Sequence, residues 1–473
     1  MMFSLALAAA VGCNGPSVIL EFIAGMANGL VDRLIVGYQA LLHLFQAFPW
    51  HHLTLAISQF IFYYPLLMSY VWMIGSILYY VLWERHRNSE DDMPKLQEYP
   101  PLSILVPCHN EGQNVKDTLD YLLLQKYPNF EIVAIDDGST DDTLNILLSM
   151  ATHTTKIRII QLETNQGKAM ALRTGALLTN TEFLICIDGD ALLAPEAAAW
   201  MMQHFLNDPR VGAVTGNPRI RNRSTLLGKI QVGEFSAIVG LIKRAQQVYG
   251  RIFTVSGVIA GFRKSALHNV GYWSNDMVTE DIDISWKLQL SGWDIHFEPK
   301  ALCWVLMPES LKGLWKQRLR WSQGGAEVLL RHTPKVFRWR SRRMWPIWLE
   351  CTASIIWSYL VLAGLIIWST GELLELRKHS LSGLIPNWTG MLLSVTCLTQ
   401  FAVSLAIDSR YERQYGGIGR YYYWMIWYPF VYWINNMLTT VFGLLKAIAK
   451  THGQRAIWLT SDRGILKRDR TYH

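Results

Sequence analysis

Charged residues are scarce in this chain. They make up 17% of its 473 residues, whereas soluble globular proteins usually carry about a quarter. This deficit argues against an ordinary soluble protein and indicates membrane segments. The six cysteines lack the paired spacing of a zinc site or a disulfide framework, which predicts small buried side chains in a reducing compartment. Because no nucleic-acid-binding motif is present, we ascribe the net charge of +7 to membrane flanks and an anionic nucleotide, and expect no nucleic-acid partner.

Four stretches contain no charged residue, and each can supply the roughly 20 apolar residues that cross a bilayer. They are residues 53–83, 351–371, 381–407 and 421–445. Trp and Tyr crowd their ends, as at membrane interfaces. The alternative is a large soluble protein with buried helices, but core helices typically run only ~8–20 residues. We expect one further crossing before residue 53.

Basic residues flank the first two of these stretches on the sides that face each other. Arg85 and Arg87 follow the first stretch, and four arginines between residues 338 and 343 precede the second. Such flanks remain inside the cell, which predicts that residues 85–345 are cytoplasmic. The tail is also basic, yet three crossings after residue 345 would place it outside. Either one segment is re-entrant or interfacial, or the rule is overridden here.

The pattern changes after a polar linker at residues 85–100. Short apolar runs, which predict strands, then alternate with amphipathic stretches, which predict helices. The strands are residues 102–107, 131–135, 157–162 and 183–187, and the helices include residues 114–124 and 168–178. This alternation predicts an α/β domain with a largely parallel sheet and helices on both faces. Ligands of such sheets bind beyond the carboxyl ends of the strands.

Acidic residues follow two of these strands. Asp136 and Asp137 end the second, where a carboxylate can accept hydrogen bonds from a uracil or a ribose, although Asp-Asp-Gly-Ser is also a common turn sequence. Asp188 and Asp190 follow the fourth on either side of a glycine, a spacing that lets two carboxylates reach one divalent cation. Such a pair alone is a weak indication, and its position after a strand strengthens it.

Two further motifs lie downstream. In Thr279-Glu280-Asp281 a carboxylate can act as general base, and the same residues also fit the start of a helix. In the helix that follows, Gln317, Arg320 and Trp321 share one face at i, i+3 and i+4, suited to a pyrophosphate and a sugar ring. The alternative for this helix is a plain interfacial helix with snorkelling arginines.

The order of these motifs between membrane segments is specific. With the stretches "NQGKAMALRTGA", "ICIDGDALL", "TEDIDISWKLQL" and "MPESLKGLWKQRLRWSQGGAEV", the chain resembles the processive family 2 glycosyltransferases, which include cellulose, chitin and hyaluronan synthases. Within them it resembles the bacterial enzymes that polymerise N-acetylglucosamine through β-1,6 linkages. The resemblance runs from about residue 70 to the C-terminal "DRGIL", and the first ~50 residues show no clear match.

The resemblance implies a GT-A fold, inserted between transmembrane helices, and an inverting reaction. It assigns Asp281 as the catalytic base and Asp188 and Asp190 to the metal, Mg²⁺ or Mn²⁺. The residues expected to bind the nucleotide sugar are Asp137, Lys168, Asp188, Asp190 and Glu280. Those expected at the acceptor and pyrophosphate end are Gln317, Arg320 and Trp321.

These inferences together predict a synthase of the bacterial inner membrane that polymerises N-acetylglucosamine from UDP-GlcNAc and exports the growing polysaccharide. Its partners would be membrane lipid and, as implied by the resemblance, a small membrane subunit at whose contact cyclic-di-GMP is sensed. The expected segments are membrane 1–84, linker 85–100, catalytic domain 101–345, membrane helices 346–450 and basic tail 451–473. The alternatives are a hyaluronan-, chitin- or cellulose-type synthase, a non-processive transferase to a lipid phosphate, and an inactive membrane scaffold or transporter.

Overall fold

The structure is a computed structural model that describes residues 50–85, 93–373, 388–413 and 416–450, with the single residues 25, 33, 36 and 453. It divides into residues 1–60 and residues 61–473. The first unit contributes the beginning of helix α1 (Trp50–Tyr79), which a π-helical turn, Tyr80–Glu84, continues. The crossing expected before residue 53 lies outside the described residues.

One eight-stranded sheet organises residues 102–305. The strands are β1 (Leu102–Cys108), β2 (Phe130–Asp137), β3 (Ile157–Leu162), β4 (Phe183–Ile187), β5 (Leu192–Leu193), β6 (Val211–Ile220), β7 (Ile259–Arg263) and β8 (Asp294–Val305). Their order is β3-β2-β1-β4-β7-β6-β8-β5. β1 to β4 are parallel, and β7 runs antiparallel between β4 and β6. The four predicted strands are present, and the predicted α/β class is confirmed.

Helices cover both faces of this sheet. They are α2 (Val115–Leu122), α3 (Thr143–His153), α4 (Lys168–Leu178), α5 (Ala197–Asn207), α6 (Leu226–Phe235), α7 (Ile242–Val248), α8 (Lys264–Asn269), α9 (Glu280–Leu290) and α10 (Leu311–Val336). Successive side chains of a strand point to opposite faces. In β1, Ile104 and Val106 accordingly join one hydrophobic core and Leu105 joins another. The continuous apolar run of β1 is therefore required by burial on both sides.

Among the described residues, three helices are long and apolar enough to cross a membrane: Leu55–Glu84, Trp339–Ile367 and Trp388–Tyr411. They contain α1, α11 (Trp345–Leu373) and α12 (Trp388–Asp408) in whole or in part, and they overlap the first three charge-free stretches. The fourth stretch is not among them.

The fourth stretch instead forms a 3₁₀ helix, Gly419–Trp427, followed by α13 (Tyr428–Ala449), which packs along α10. Gly443 permits the close approach, since a Cβ there would lie 2.8 Å from Ser322 Cβ. Just after α13, the Lys450 ammonium pairs with Glu327 of α10 at 2.9 Å and donates to the Asp276 carbonyl at 2.5 Å. The end of α13 is thus attached to the catalytic region.

A buried ionic network joins β6 and α7 to the ends of two of the candidate membrane helices. Asp408, the last residue of α12, pairs with Arg219 of β6 at 2.7 Å and with Arg244 of α7 at 2.8 Å. Arg244 also pairs at 2.6 Å with Glu84, which follows α1. All four side chains are almost fully buried. Buried charges are tolerated only in such pairs, so this network fixes how the domain sits on these helices.

Candidate active site

The end of β2 holds the loop that precedes α4. The two carboxylate oxygens of Asp137 accept the backbone N–H groups of Gln166 and Gly167, both at 2.8 Å. Burial raises the pKa of Asp137, and these two hydrogen bonds oppose that rise. Gly138 has a φ of +63°, and a Cβ there would lie 2.7 Å from the Asn165 nitrogen. Asp137 therefore has a local structural role in addition to its predicted contact with uridine.

Asp136 beside it is differently placed. Its Oδ1 atom is buried and has no hydrogen-bond partner among the described residues, while Oδ2 accepts weakly from the Ser139 N–H at 3.4 Å. A buried carboxylate oxygen is expected to find a partner. The Asp136 oxygen that lacks a partner is therefore a candidate acceptor for a ligand, although the resemblance assigned only Asp137 of this pair to the nucleotide sugar.

Lys168, the first residue of α4, brings two of the predicted motifs together. Its Nζ lies 2.6 Å from Asp188 and 3.1 Å from Glu280, and it donates to the Gly257 carbonyl at 2.9 Å. Burial disfavours the ammonium, but the two carboxylates outweigh burial and raise the pKa of Lys168. The lysine is therefore charged and bridges the Asp-Gly-Asp and Thr-Glu-Asp segments.

Asp188 and Asp190 follow β4 at the sheet edge where β2 also ends. Gly189 between them packs against Glu111, since a Cβ there would lie 3.0 Å from Glu111 Cγ, and its carbonyl accepts from Thr118 at 2.9 Å. Within the described residues, no group of three or more His, Cys, Asp or Glu side chains could hold a metal. Two carboxylates nevertheless fit a divalent cation whose remaining ligands are diphosphate oxygens and water, as is usual for Mg²⁺.

Glu280 and Asp281 begin α9 with opposite electrostatic properties. Burial, followed by the neighbouring Glu280 charge, raises the pKa of Asp281 to about 6, although Lys168 and Arg320 oppose the rise. Burial also acts on Glu280, but Lys168 outweighs it and lowers the pKa of Glu280. A carboxylate whose pKa lies nearer neutrality is the better general base. The opposite pKa shifts of the two carboxylates therefore favour Asp281 over Glu280 for proton transfer.

On the predicted face of α10, Arg320 lies within electrostatic reach of the same carboxylates. Arg320 is exposed and lowers the pKa values of both Glu280 and Asp281. Trp321 is half-buried, with its ring centre 6.5 Å from that of Phe235. Gln317 contacts the Met307 sulfur at 3.8 Å, and its buried Oε1 has no partner within the described chain.

α10 and the Thr-Glu-Asp segment touch at a glycine. A Cβ on Gly324 would lie 2.1 Å from Thr279 Oγ1, so only glycine allows this contact. The helix that presents Trp321 is thereby packed directly against the segment that presents Asp281.

Sequence reasoning missed Arg318, which is buried rather than exposed. Its guanidinium donates to Glu234 Oε2 at 2.5 Å and lies 4.2 Å from the centre of the Trp321 ring. Burial raises the pKa of Glu234, and the arginine opposes the rise. The indication in the sequence was a glutamate within the apolar run of α6, which requires a cationic partner if buried.

Lys243 of α7 was also missed. It is buried, donates to Thr215 Oγ1 at 2.8 Å, and lies within electrostatic reach of Asp281. Burial lowers the pKa of Lys243 to about 7, and the Asp281 charge opposes this. Nothing in the local sequence distinguishes this lysine from a surface residue.

Comparison with known proteins places this site in a family. A family model described as "Glycosyltransferase like family 2" matches residues 100–324, which contain every motif above. A poly-β-1,6-N-acetyl-D-glucosamine synthase of Staphylococcus epidermidis is 40% identical over 414 residues, covering 87% of this chain and 100% of that protein. A synthase of the same name from Staphylococcus aureus is 39% identical, covering 86% and 99%. The chain belongs to the poly-β-1,6-N-acetyl-D-glucosamine synthase family.

A solved structure supports the fold of this synthase family member independently. The mannosyltransferase of Pyrobaculum calidifontis, in complex with GDP-Man and Mn²⁺, aligns with a TM-score of 0.58 over 83% of this chain and 97% of that one. The identity is 18%, so this likeness speaks for the fold alone. The GT-A prediction is confirmed, and the individual roles of the site residues in this synthase stay predictions.

Proposed function

We propose that this chain polymerises N-acetylglucosamine from UDP-GlcNAc into poly-β-1,6-N-acetyl-D-glucosamine. The observation that carries the proposal is the site around Lys168, whose Nζ lies within 3.1 Å of both Asp188 and Glu280, in a chain 40% identical to synthases of that name. Charged carboxylates, a buried ammonium and a carboxylate with a raised pKa meet there, as transfer from an anionic sugar nucleotide requires.

In the proposed reaction, Asp281 takes the proton from the C6 hydroxyl of the acceptor sugar. The hydroxyl oxygen attacks the anomeric carbon from the side opposite UDP, the bond from that carbon to the phosphate oxygen breaks, and UDP leaves with the electron pair. Inversion of the α-linked donor gives a β linkage. The pKa of about 6 leaves Asp281 ionised, and therefore able to accept a proton, at neutral pH.

Other residues would bind and orient the two substrates. Lys168 lies between two carboxylates, where its ammonium can also contact a diphosphate. Mg²⁺ or Mn²⁺ at Asp188 and Asp190 would neutralise charge on the departing diphosphate. Trp321 would offer its ring to the apolar face of the acceptor sugar, and Arg320 would face the diphosphate.

We further propose that residues 101–345 form a cytoplasmic catalytic domain held at the bacterial inner membrane. Four arginines between residues 338 and 343 precede α11, which supports this orientation. Among the described residues, two candidate spans follow α10; with these two crossings the basic tail would return to the cytoplasm, consistent with the contact of Lys450 with Glu327. Export of the polymer along the membrane helices, and a small partner subunit that senses cyclic-di-GMP, belong to the same proposal.

Radiolabelled UDP-GlcNAc supplied to membranes tests the activity. We expect long product that resists chitinase and is degraded by a β-1,6-specific N-acetylglucosaminidase. Asp281→Asn membranes serve as the control and should yield none. Incorporation of glucose or glucuronic acid from their UDP donors, or a product sensitive to chitinase, would replace this proposal with a cellulose-, hyaluronan- or chitin-type activity.

A further inference from the structure

A groove with four basic side chains lies outside the active site. It has a volume of about 540 Å³ and lies among α9, the carboxyl-terminal part of α10 and the 3₁₀ helix Trp339–Met344. Its basic residues are Lys287, Lys335, Arg338 and Arg340, and no acidic side chain lines it among the described residues. We call it the basic groove.

These cations are not neutralised within the described chain. Lys335, Arg338 and Arg340 are exposed, and they have no ion pair among the described residues, in contrast to Arg331, which pairs with Asp276. Lys287 is half-buried and has no ion pair among the described residues, although its ammonium donates to the Tyr272 carbonyl. Burial lowers its pKa, Asp283 opposes this, and neighbouring cations that include Lys335 lower it further. The groove therefore has a positive potential that an anion would reduce.

A buried polar atom also lines the groove without a partner. His332 is 2% exposed, and its Nε2 is hydrogen-bonded to Asp283 at 2.8 Å. Its Nδ1 is buried and has no hydrogen bond within the described residues. Buried polar atoms are usually satisfied, so a ligand or water is expected beside this nitrogen.

The groove adjoins a candidate membrane span. Its 3₁₀ helix continues without a break into α11, and together they form the candidate span Trp339–Ile367. Large aromatic side chains beside it are exposed: Phe337 by 58%, Trp339 by 70% and Trp345 by 38%. Exposed tryptophans beside arginines at the end of a membrane helix are typical of the headgroup region. An anion at this depth is a lipid headgroup.

We propose that the basic groove binds the phosphate of an anionic phospholipid and thereby links α9 to α10. Lys287 lies on α9, which begins with the proposed base, and Lys335 lies on α10, which presents Trp321. One phosphate between them would brace the far ends of the two helices that meet at the active site. Arg338 and Arg340 each have a planar guanidinium, which can donate two parallel hydrogen bonds to one phosphate.

The test compares two double variants that remove equal charge from neighbouring positions in residues 338–343. Arg338→Gln with Arg340→Gln alters the groove, whereas Arg342→Gln with Arg343→Gln removes arginines that do not line it. Each purified full-length protein is titrated in detergent with phosphatidylglycerol or phosphatidylcholine, and Tm is followed. We expect phosphatidylglycerol alone to raise Tm in the wild type and the second variant. To reach the same rise in Tm, the groove variant should need about tenfold more phosphatidylglycerol for each arginine removed. This factor corresponds to the free energy of one charge-assisted hydrogen bond.

Two outcomes would overturn the proposal. If both double variants lost the response of Tm to phosphatidylglycerol equally, the lipid effect would reflect general attraction between basic residues and the membrane surface. An equal rise in Tm with inorganic phosphate would mean a free-phosphate site rather than a lipid site. If the groove variant has a lowered Tm before lipid is added, Lys335→Gln, an exposed position, replaces it under the same criteria. In nanodiscs, phosphatidylglycerol should raise the polymerisation rate of the wild type and the control but not of the groove variant.

Discussion

The contact between α10 and Thr279 gives a sharp prediction about catalysis. Gly324 lies on α10 one turn beyond Trp321, and Thr279 precedes the proposed base, so Gly324→Ala would separate the two segments. A new Cβ would lie 2.1 Å from Thr279 Oγ1 and 2.7 Å from Thr279 Cβ. Rotation of the threonine side chain can move Oγ1 but not Cβ, whose position the backbone fixes.

The size of the effect follows from these distances. Ordinary van der Waals contacts begin at 3.4 Å, so the helix and the Thr-Glu-Asp segment would have to separate by about 1 Å. A misplacement of that size can lower turnover about 10²-fold. Overpacking costs about 1–3 kcal/mol, and the gain in helix propensity returns about 1 kcal/mol, so the folded state should persist.

The adjacent glycine provides the control. A Cβ on Gly325 would meet only Phe253 Cζ, at 3.8 Å, so Gly325→Ala gains the same helix propensity without a clash. The assay is polymerisation of UDP-GlcNAc by each purified variant, with Tm and UDP affinity measured alongside. We expect Gly325→Ala to be as active as the wild type and Gly324→Ala to bind UDP yet turn over slowly. Wild-type turnover in a stable Gly324→Ala protein would refute the idea that this contact aligns the two segments.

The remaining predictions concern four individual residues. Because the pKa of Asp281 is raised to about 6 and the base must be ionised, kcat/KM should fall as the pH drops through about 6. Asp281→Asn should lower turnover at least ~10²-fold while UDP affinity is kept, and an equal loss of both would assign Asp281 to the nucleotide site. Asp190→Asn, like metal chelation of the wild type, should abolish polymer synthesis, and full activity in EDTA would contradict the metal assignment. Trp321→Ala should make short products while still binding UDP, since stacking is worth ~1–3 kcal/mol if sugars resemble bases, and long polymer from a stable variant would remove Trp321 from the acceptor site. Asp408→Asn removes the carboxylate that Arg219 and Arg244 share, although Arg219 keeps Glu412 and Arg244 keeps Glu84. The loss should cost up to about 3–5 kcal/mol of folding free energy, measured as a lower Tm than that of an exposed control, Asp120→Asn.

The first half of the sheet could be predicted from local sequence because apolar residues dominate its strands. The predicted residues 102–107 and 183–187 correspond to β1 (Leu102–Cys108) and β4 (Phe183–Ile187). The second half could not. β6 contains Gly216, Asn217 and Pro218, and a register irregularity interrupts its pairing with β8. Polar residues in these strands are buried through partners far along the chain, and no local pattern reveals such partners.

The site shows the same division between local and distant information. The shared face of Gln317, Arg320 and Trp321 follows from helical spacing and needs no tertiary structure. The burial of Arg318 on the same helix depends on Glu234, 84 positions away. The bridging position of Lys168 likewise depends on segments that meet only after the sheet has formed. Residue types were therefore predictable, whereas which charges neutralise one another was not.

The balance of charge in the site explains why a cation should accompany the nucleotide. Asp188, Asp190, Glu280 and Asp281 bring four carboxylates to one region, and Lys168 contacts only two of them. A diphosphate would add further negative charge beside buried groups, where charge repulsion is weakly screened. Asp281 already holds its proton more tightly than an ordinary aspartate, because burial and Glu280 raise its pKa. A diphosphate bound without a cation would raise that pKa further and protonate the base. A divalent cation at Asp188 and Asp190 would thus have two roles. It would allow the sugar nucleotide to bind, and it would keep Asp281 ionised so that it can take the proton from the acceptor hydroxyl.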